Sequence, residues 1–450
     1  MSSNERIAVI GAGLVGSLKA LYLARRGFQV SVFERRPDIR KAKIVAGKSI
    51  NLALSDRGWR ALERVGMAEE IKKISIPMYA RMIHGMDGSL SQQAYGKDGQ
   101  AIYSVSRGGL NQKLLEFADK NPNVELHFNH RCADVDPDTN RVRFEKTDSG
   151  EIVERNFDRI FGTDGAYSAL RNRMQRLDRF DYSQQYLSHA YKELTIPANP
   201  DGSHKLEKNC LHIWPRNEFM LIALPNLDGS FTVTLFFPFE GPISFEHLNS
   251  PESITSFFKK YFADAMVHMP DLVADFNENP TSSMVMVKCF PWHYKENLCL
   301  LGDASHAIVP FYGQGMNAGF EDCRVFDEIF EEEKGNWPVI FERFSRERKP
   351  NSDAILELAL RNYIEMRDKT ADPVFILQKK IERHFSDKHP DKWIPLYSQV
   401  TFSHTPYSEA LRNGERQDAI MRKVMNRPDI EAVWNSNEIE QSILAELSNP

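Results

Sequence analysis

A glycine-rich turn between an apolar strand and an apolar helix constrains the fold of this chain more than any other feature. The predicted strand RIAVI (6–10) leads into GAGLVG (11–16), and a predicted helix (18–28) precedes a second strand, QVSVFER (29–35). A GxGxxG sequence indicates a dinucleotide site when it has this strand–turn–helix–strand context. The sequence therefore predicts an α/β, Rossmann-like domain that holds one dinucleotide.

Each position of this turn has a physical reason. Gly11 permits the tight turn, Gly13 lets the backbone approach a pyrophosphate, and Gly16 allows the helix to pack closely on the strand. The helix N-terminus adds N–H donors and the positive end of its dipole. Glu34, at the end of the second strand, is placed to bond a ribose hydroxyl.

Two further acidic turns follow predicted strands, Asp164 in TDGAYSALR and Asp303 in LLGDASH. At the carboxyl ends of parallel strands, both would face the same crevice as the glycine turn. Asp303 would bond a ribityl hydroxyl, and the helix start that contains Gly313 and Gly315 would lie at a flavin ring. FAD has a ribityl chain and NAD does not, so FAD is the predicted cofactor.

Composition restricts the class of partner and the location. The chain has 450 residues and a net charge of −5, which predict several subdomains and no nucleic-acid partner. Five scattered cysteines lack metal-ligand spacing, so neither a disulfide framework nor a metal site is expected. The sequence has no signal peptide and no apolar run long enough to span a bilayer, which predicts a soluble, cytoplasmic protein.

Three regions are expected along the chain. Apolar strands at 123–128 and 157–165 extend the sheet of the first strand, whereas FTVTLFF (231–237) alternates apolar residues with threonine, as in an antiparallel sheet. The chain becomes mostly helical from about residue 340, for example at 352–369. The predicted regions are an FAD-binding domain (1–75, 99–179 and 296–345), an inserted antiparallel β substrate-binding domain (76–98 and 180–295) and a C-terminal helical region (346–450).

The three turns carry a family resemblance. GAGLVG, DGAYSALR (164–171) and GDASHAIVPFYGQGMN (302–317) together resemble the signatures of the single-component FAD-dependent aromatic hydroxylases, although Ser305 stands where these usually have Ala. The resemblance runs from about residue 6 to residue 410. It is closest to the branch of the family that hydroxylates L-kynurenine, through KSINLALSDRG (48–58), RMIHG (81–85), FDYSQQY (180–186), LHIWPRNEFMLIALPN (211–226), NYIEM (362–366) and YSQVTFS (397–403).

This resemblance implies a reaction. NADPH, or alternatively NADH, would bind transiently and reduce a tightly bound FAD, and O₂ would add to form a flavin hydroperoxide. The aromatic ring of L-kynurenine would then be hydroxylated at position 3, a step of tryptophan degradation toward NAD. No catalytic residue beyond the flavin is expected. The polar segment 401–450 lacks the hydrophobic anchor of the mitochondrial members, so outer-membrane attachment would require an anchor that had been removed.

The motifs and the resemblance together predict the FAD contacts. Cys132 is expected to contribute a backbone contact at a strand end rather than its thiol. The predicted cofactor-binding residues are Gly11, Gly13, Val15, Gly16, Phe33, Glu34, Arg35, Arg36, Ala53, Arg107, Cys132, Asp164, Asp303, Gly313, Gly315, Met316 and Asn317.

The resemblance assigns the substrate carboxylate to Arg81 and Tyr95. A planar guanidinium suits this task because it binds a carboxylate through two hydrogen bonds. Residues 80–96 have the pattern of a hairpin that turns at Asp87-Gly88. We expect a three-residue loop centred on Gly88, which would place residues 81 and 95 directly opposite each other on one sheet face.

The rest of the predicted substrate site is aromatic and amide-bearing. Asn362 shares a helical stripe with Ile355, Ala359 and Met366. The residues alone favour a core Asn with satisfied hydrogen bonds, whereas the resemblance implies binding of the substrate amino-acid group beside Tyr397. Phe236, Phe311, Tyr363 and Met366 are predicted slot walls or, alternatively, plain core. His306 is expected to pack or to bond backbone rather than to act as a base.

Two alternatives remain open at this point. The first is another enzyme on the same scaffold, such as a different aromatic hydroxylase or a flavin halogenase, although none of the six Trp residues forms the WxWxIP sequence of halogenases. The second is a non-catalytic protein of this fold, of the Rab escort type. That alternative predicts eroded Gly-Asp and glycine-helix motifs, and both are intact here.

Overall fold

The strands and helices are described by a computed structural model for residues 5–41, 50–97, 99–366 and 372–448. The strands are β1 (Arg6–Ile10), β2 (Gln29–Phe33), β3 (Asn51–Leu54), β4 (Ser75–Met78), β5 (Ala80–His84), β6 (Leu90–Ala94), β7 (Ile102–Ser106), β8 (Val124–His127), β9 (His130–Asp136), β10 (Arg141–Lys146), β11 (Ile152–Asn156), β12 (Arg159–Gly162), β13 (Asp181–Ile196), β14 (Cys210–Arg216), β15 (Phe219–Pro225), β16 (Phe231–Pro238), β17 (Ser282–Phe290), β18 (His293–Tyr294) and β19 (Leu298–Leu300). The α-helices are α1 (Leu14–Arg25), α2 (Asp56–Arg64), α3 (Ala68–Lys72), α4 (Arg107–Asp119), α5 (Ala169–Met174), α6 (Pro251–Tyr261), α7 (Ala263–Met266), α8 (Leu272–Glu278), α9 (Asp303–His306), α10 (Gly315–Glu332), α11 (Trp337–Ile364), α12 (Pro373–Lys388), α13 (Leu396–Thr401), α14 (Tyr407–Met425), α15 (Ile430–Val433) and α16 (Asn437–Ser448).

A six-stranded sheet forms the first layer, in the order β18-β19-β12-β1-β2-β8. All neighbouring pairs are parallel except β18 with β19. The strands predicted at 6–10, 29–35, 123–128 and 157–165 all belong to this sheet, as expected. Because β1, β12 and β19 are adjacent and parallel, the turns that follow them meet at one edge of the sheet.

Helices α1 and α10 cover this sheet and approach each other closely. A Cβ atom on Gly319 of α10 would lie 2.6 Å from Cγ2 of Val15 in α1, so only glycine fits there. The function of Gly319 is therefore close helix packing, which brings the N-terminal ends of both helices into the same region.

The inserted region forms a seven-stranded sheet in the order β17-β13-β16-β15-β14-β5-β6. Its neighbouring strands are antiparallel, as predicted, except for β14 and β5, which pair in parallel. The alternation in β16 is confirmed, since Phe231, Val233, Leu235 and Phe237 pack in a core with residues of α6, α7 and α8. The opposite face of this sheet is turned toward the parallel sheet and forms part of the site below.

The C-terminal part is helical, as predicted, and has a small core of its own that includes Ile381, Phe385 and Met421. Helix α11 runs unbroken through the predicted boundary at 345/346, so this helix is shared between two predicted regions. The helix predicted at 352–369 is described only to residue 366, because 367–371 lie outside the described residues. None of the described helices combines the length and the apolar character that spanning a membrane requires.

Candidate active site

A cavity of about 900 Å³ lies at the carboxyl edge of the parallel sheet and against one face of the seven-stranded sheet. Nearly all predicted site residues line it. Those at the cofactor end are Gly11, Gly13, Val15, Phe33, Glu34, Arg35, Arg36, Ala53, Arg107, Cys132, Asp164, Asp303, Gly313, Gly315 and Met316, and those at the other end are Arg81, Tyr95, Phe236, Phe311, Asn362, Met366 and Tyr397. Gly16, Asn317 and Tyr363 lie outside the lining.

The glycine turn leaves an open space in front of α1. Gly11 has a φ of +99°, and a Cβ there would lie 2.6 Å from the Thr163 carbonyl oxygen. Gly16 serves packing, because its Cβ would lie 1.8 Å from the Gly11 carbonyl oxygen. A Cβ on Gly13, in contrast, would meet no atom within 4 Å. No side chain caps the helix, so its first N–H groups are available to a pyrophosphate.

Glu34 lies at the end of β2, beside the glycine turn. Its carboxylate accepts hydrogen bonds from the Ala12 N–H (3.0 Å) and from Nε of Arg36 (2.7 Å). Burial alone would raise the pKa of Glu34, but the hydrogen bonds and charge of Arg36 outweigh it and hold the pKa below its usual value. Glu34 is therefore an ionised acceptor, as a ribose hydroxyl requires.

The two acidic turns supply further acceptors. Oδ2 of Asp164 accepts from the Ala169 N–H (2.7 Å), whereas Oδ1 is buried and has no hydrogen-bond partner among the described residues. The Asp303 carboxylate opens onto the cavity, and its enclosure by protein raises its pKa, with Arg107 acting in the opposite direction. An acceptor without a partner is costly unless a ligand hydroxyl donates to it.

A second helix start, that of α10, opens into the same cavity. Gly313 is left-handed with a φ of +66°, and a Cβ on Gly315 would meet no atom within 4 Å. Asn317 fixes this loop from behind, because its Nδ2 donates to the carbonyl oxygens of Ala53 (2.9 Å) and Gly313 (2.8 Å). Asn317 thus acts through the loop and does not face the cavity.

These residues fit FAD. Two uncapped helix starts provide N–H donors, Glu34 and Asp303 provide ionisable acceptors, and Asp164 also borders the cavity. Arg107 lies at the N-terminus of α4 and borders the cavity.

For Cys132 the expected strand end is wrong: the residue lies inside β9, beside a bulge at which the register with β10 shifts. The bulge turns the β9 backbone toward the cavity.

At the other end of the cavity, Arg81 lies between two tyrosines. Its guanidinium carbon is 5.1 Å from the ring centre of Tyr95 and 4.6 Å from that of Tyr397. The two rings stack with their centres 5.3 Å apart. Tyr312, which the sequence left unassigned, stacks on the far side of Tyr397 at 5.6 Å. The cluster combines a cation with three phenol rings.

The predicted register of the β5–β6 hairpin is wrong by two residues. The Gly85 N–H donates to the Ser89 carbonyl oxygen, so the loop is centred on Asp87 rather than on Gly88. Arg81 consequently lies opposite Gln93, and Tyr95 is its diagonal neighbour. Because the shift is two residues, the side chains of residues 81 and 95 still share one face of the sheet.

Arg81 has an unusual charge environment. Among the residues that the structure describes, no carboxylate forms an ion pair with its guanidinium. Burial would lower the pKa of Arg81, but interactions with Tyr397 and Tyr95 outweigh this and keep the pKa above its usual value. The Glu365 carboxylate adds a weaker attraction of the same sign. A charged guanidinium that opens onto a cavity and has no ion-pair partner among the described residues is suited to bind an anionic group.

Apolar side chains separate Arg81 from the cofactor end. The rings of Phe236 and Phe311 are 4.9 Å apart and form a wall. Tyr363, predicted as a wall residue, instead stacks behind Phe311 at 3.9 Å and supports it. Several aliphatic lining residues were not predicted from the sequence, among them Leu211, Met220, Ile222 and Leu224. The alternation of residues 220, 222 and 224 along β15 was the available signal.

Asn362 has two partners on the protein. Its Nδ2 donates to the Phe311 carbonyl oxygen (2.6 Å) and lies 3.2 Å from Sδ of Met366. Its predicted neighbours on the stripe, Ile355, Ala359 and Met366, are buried as expected. Asn362 thus fixes the Phe311 loop and also borders the cavity.

His306 does not face the cavity. Its Nε2 lies 2.6 Å from Oδ2 of Asp322, and both side chains are fully buried. The predicted packing function is right, but the partner is a carboxylate rather than backbone. Oδ2 of Asp322 also accepts from the Gly302 N–H (3.0 Å), so the pair attaches the Gly-Asp turn to α10.

Comparisons with known proteins agree with this geometry. Residues 5–359 match the family model described as "FAD binding domain". The chain is 53% identical to kynurenine 3-monooxygenase of Flavobacterium johnsoniae, with 99% of each chain covered. It is 46% identical to kynurenine 3-monooxygenase of Sus scrofa, with 93% of this chain and 88% of that protein covered.

The fold also has a solved counterpart. The structure of 2-methyl-3-hydroxypyridine-5-carboxylic acid oxygenase superposes with a TM-score of 0.67 at 19% identity, covering 82% of this chain and 95% of that one. This similarity shows the aromatic-hydroxylase fold. The sequence identity to the two kynurenine 3-monooxygenases, which extends over most of the chain, shows to which branch of the family the chain belongs. The chain belongs to the kynurenine 3-monooxygenase family of FAD-dependent enzymes.

Proposed function

We propose that this protein hydroxylates L-kynurenine at ring position 3, with FAD as cofactor, NAD(P)H as reductant and O₂ as co-substrate. The single observation that carries the substrate assignment is Arg81, a guanidinium at the end of an apolar slot that forms no ion pair with a carboxylate in the described part of the chain. L-Kynurenine has the matching chemistry, since it carries an amino-acid carboxylate at one end and an aniline ring at the other.

The residues divide the work of binding. Arg81 would bind the carboxylate through its two parallel donors. The Tyr95 hydroxyl, which is buried and has no hydrogen-bond partner among the described residues, would donate to the same group. Tyr397 and Asn362 border the cavity beside Arg81 and would hold the remainder of the amino-acid group.

The slot orients the ring and excludes water. Phe236, Phe311 and Met220 form apolar walls between the amino-acid end and the two helix starts. Bound FAD would supply the redox chemistry, in which the protein contributes orientation and dryness rather than an acid or base. A dry slot matters because water at the reacting ring would favour release of H₂O₂ over hydroxylation.

A substrate comparison tests this proposal. The FAD-loaded protein is supplied with NADPH, O₂ and either L-kynurenine or its analogue without the carboxylate, and 3-hydroxylated product and H₂O₂ are both quantified. We expect hydroxylated product from L-kynurenine, and mainly H₂O₂ or no reaction with the analogue. Equal product from the two compounds would contradict the assignment of Arg81.

A matched variant separates the carboxylate site from the rest of the cavity. Arg81→Lys keeps the charge but loses the planar fork, so it should raise the KM for L-kynurenine while FAD binding stays unchanged.

If another hydroxylase substrate from a panel of aromatic acids gives more product than L-kynurenine, the alternative of a different aromatic hydroxylase is favoured. The cytoplasmic location stays a prediction.

A further inference from the structure

A buried arginine outside the cavity connects three parts of the chain. Arg57 lies in α2 and is 1% exposed. Its Nη1 donates to Oε1 of Glu321 in α10 (2.8 Å), and its Nε donates to the Val400 carbonyl oxygen (3.0 Å). Its Nη2 donates to the carbonyl oxygens of Gln399 and Thr405. One guanidinium therefore bonds a carboxylate and three backbone acceptors.

The backbone acceptors belong to the segment that carries Tyr397. Residues 399 and 400 are in the last turn of α13, where carbonyl groups have no partner within the helix. Arg57 satisfies them and so holds the C-terminal end of this six-residue helix. Tyr397 is the second residue of α13, and its ring faces Arg81.

The same arginine is linked to the start of α10. Its guanidinium carbon lies 3.9 Å from the ring centre of Tyr407. The Tyr407 hydroxyl donates to Oε1 of Gln314 (2.8 Å), the residue directly before Gly315. The position of α13 is thereby fixed relative to the helix start at the cofactor end.

Charge balance explains why a guanidinium is tolerated there. Glu321 accepts from Arg57 and from Arg348, both at 2.8 Å, and from Arg324 at 3.3 Å. Arg324 shares the carboxylate but has no hydrogen bond to α13. A lysine at position 57 keeps the charge, yet a single ammonium nitrogen cannot reach acceptors on both sides.

We propose that Arg57 is a positioning residue that sets Tyr397 against Arg81 and thereby determines the affinity for the substrate amino-acid group. The inference rests on the proposed function only for the identity of the ligand. It predicts that loosening Arg57 makes α13 more mobile and weakens substrate binding.

The test compares Arg57→Lys with Arg324→Lys in the FAD-loaded protein. Hydrogen–deuterium exchange is measured for residues 396–405, and the Kd for L-kynurenine is obtained from the change in flavin absorbance. For Arg57→Lys we expect exchange in this segment about tenfold faster and a Kd about tenfold higher, with kcat within about twofold, as loss of charged hydrogen bonds implies. Arg324→Lys should leave both within about twofold of the wild type.

The outcomes are distinguishable. Equal effects of the two variants, or unchanged exchange at 396–405 in Arg57→Lys, would overturn the positioning function. If the wild type does not bind L-kynurenine but Arg57→Lys still accelerates exchange in this segment only, the proposed substrate is wrong and the positioning of α13 stands. If Arg57→Lys does not fold, Tyr407→Leu removes the ring beneath the guanidinium together with the hydroxyl that donates to Gln314, and Tyr407→Phe removes the hydroxyl alone. Tyr407→Leu should accelerate the same exchange about threefold relative to Tyr407→Phe; no difference between the two would overturn the inference.

Discussion

The cofactor end and the substrate end of the cavity are built in different ways. At the cofactor end, the turns after β1, β12 and β19 present backbone N–H groups and short acidic side chains within a few residues of one sheet edge. At the substrate end, long side chains from β5, β16, α11 and α13 converge on the same space. One end depends on backbone geometry, and the other depends on side chains whose elements are far apart in sequence.

This difference predicts different responses to substitution. Backbone sites fail when a Cβ atom enters a space that only glycine leaves open, and the failure spreads to the fold. Side-chain sites fail locally, because removing one group leaves the supporting strands intact. Five substitutions test this distinction.

The largest effect is expected for Gly16→Ala. Its Cβ would lie 1.8 Å from the Gly11 carbonyl oxygen, so α1 must move away from β1 and the whole parallel sheet is destabilised. We expect a loss of roughly 3 kcal/mol or more in the free energy of unfolding, together with loss of FAD, measured by denaturant unfolding and flavin absorbance.

Gly13→Ala is the matched control, because a Cβ there meets no protein atom within 4 Å. The apo-protein should unfold as the wild type does, and only the Kd for FAD should rise. If the two variants lost the same free energy of unfolding, the distinction between a glycine that serves packing and a glycine that faces the ligand would be wrong.

Arg81→Met should affect the substrate end alone. The variant removes the cation that faces the substrate carboxylate in the proposed function, so the KM for L-kynurenine should rise about 100-fold, as loss of a charge-assisted pair implies. FAD content and thermal stability should match the wild type. A parallel loss of FAD would show that the two ends are not independent.

Glu321→Gln tests the buried charges between the two ends. Burial would raise the pKa of Glu321, but Arg348, Arg57 and Arg324 outweigh it and lower the pKa to about 2 from an ordinary value of 4.5. A lowered carboxyl pKa stabilises the fold above pH 4.5, and this stabilisation is lost as the pH falls toward 2.

The variant should therefore be less stable than the wild type by about 3 kcal/mol at pH 7, as expected when a buried charge loses its partner. Urea unfolding from pH 7 to pH 3 should show this difference shrinking below pH 4.5. A difference that stays constant with pH would contradict the ionised state of Glu321.

The smallest effect is expected for Cys132→Ala. The thiol lies 3.7 Å from the Asp134 carbonyl oxygen, a weak contact, and burial raises its pKa well above the usual value. The contact expected of Cys132 at the cofactor end is through its backbone, which alanine keeps, so the Kd for FAD should change less than about twofold. A large loss of FAD would assign a direct function to the thiol.

Most of the residues predicted for the cofactor end line one cavity, because glycine turns and acids after strands are local patterns with one structural solution, and their contacts with FAD stay a prediction. The substrate end was predicted through family resemblance and with less accuracy. The centre of the hairpin loop was displaced by one residue, which moved the partner of Arg81 from Tyr95 to Gln93. Tyr363 was assigned to the wall although it supports Phe311 from behind.

These errors have a common physical origin. A loop can be displaced by one residue at little local cost, and β14, the other strand that pairs with β5, lies more than 100 residues away in the sequence. The function of Arg57 was not anticipated for the same reason, because its acceptors at 399, 400 and 405 are backbone atoms that carry no sequence pattern.

The parallel pairing of β5 with β14 also determines the order in which the protein can assemble during synthesis. Arg81 leaves the ribosome well before residues 210–213 exist to pair with its strand. The parallel sheet must likewise wait for β19, and Tyr397 is made later still. Each end of the cavity can close only after its last element has been made, and the substrate end comes last, so a nascent chain truncated before Tyr397 would present an open, apolar slot that holds no substrate.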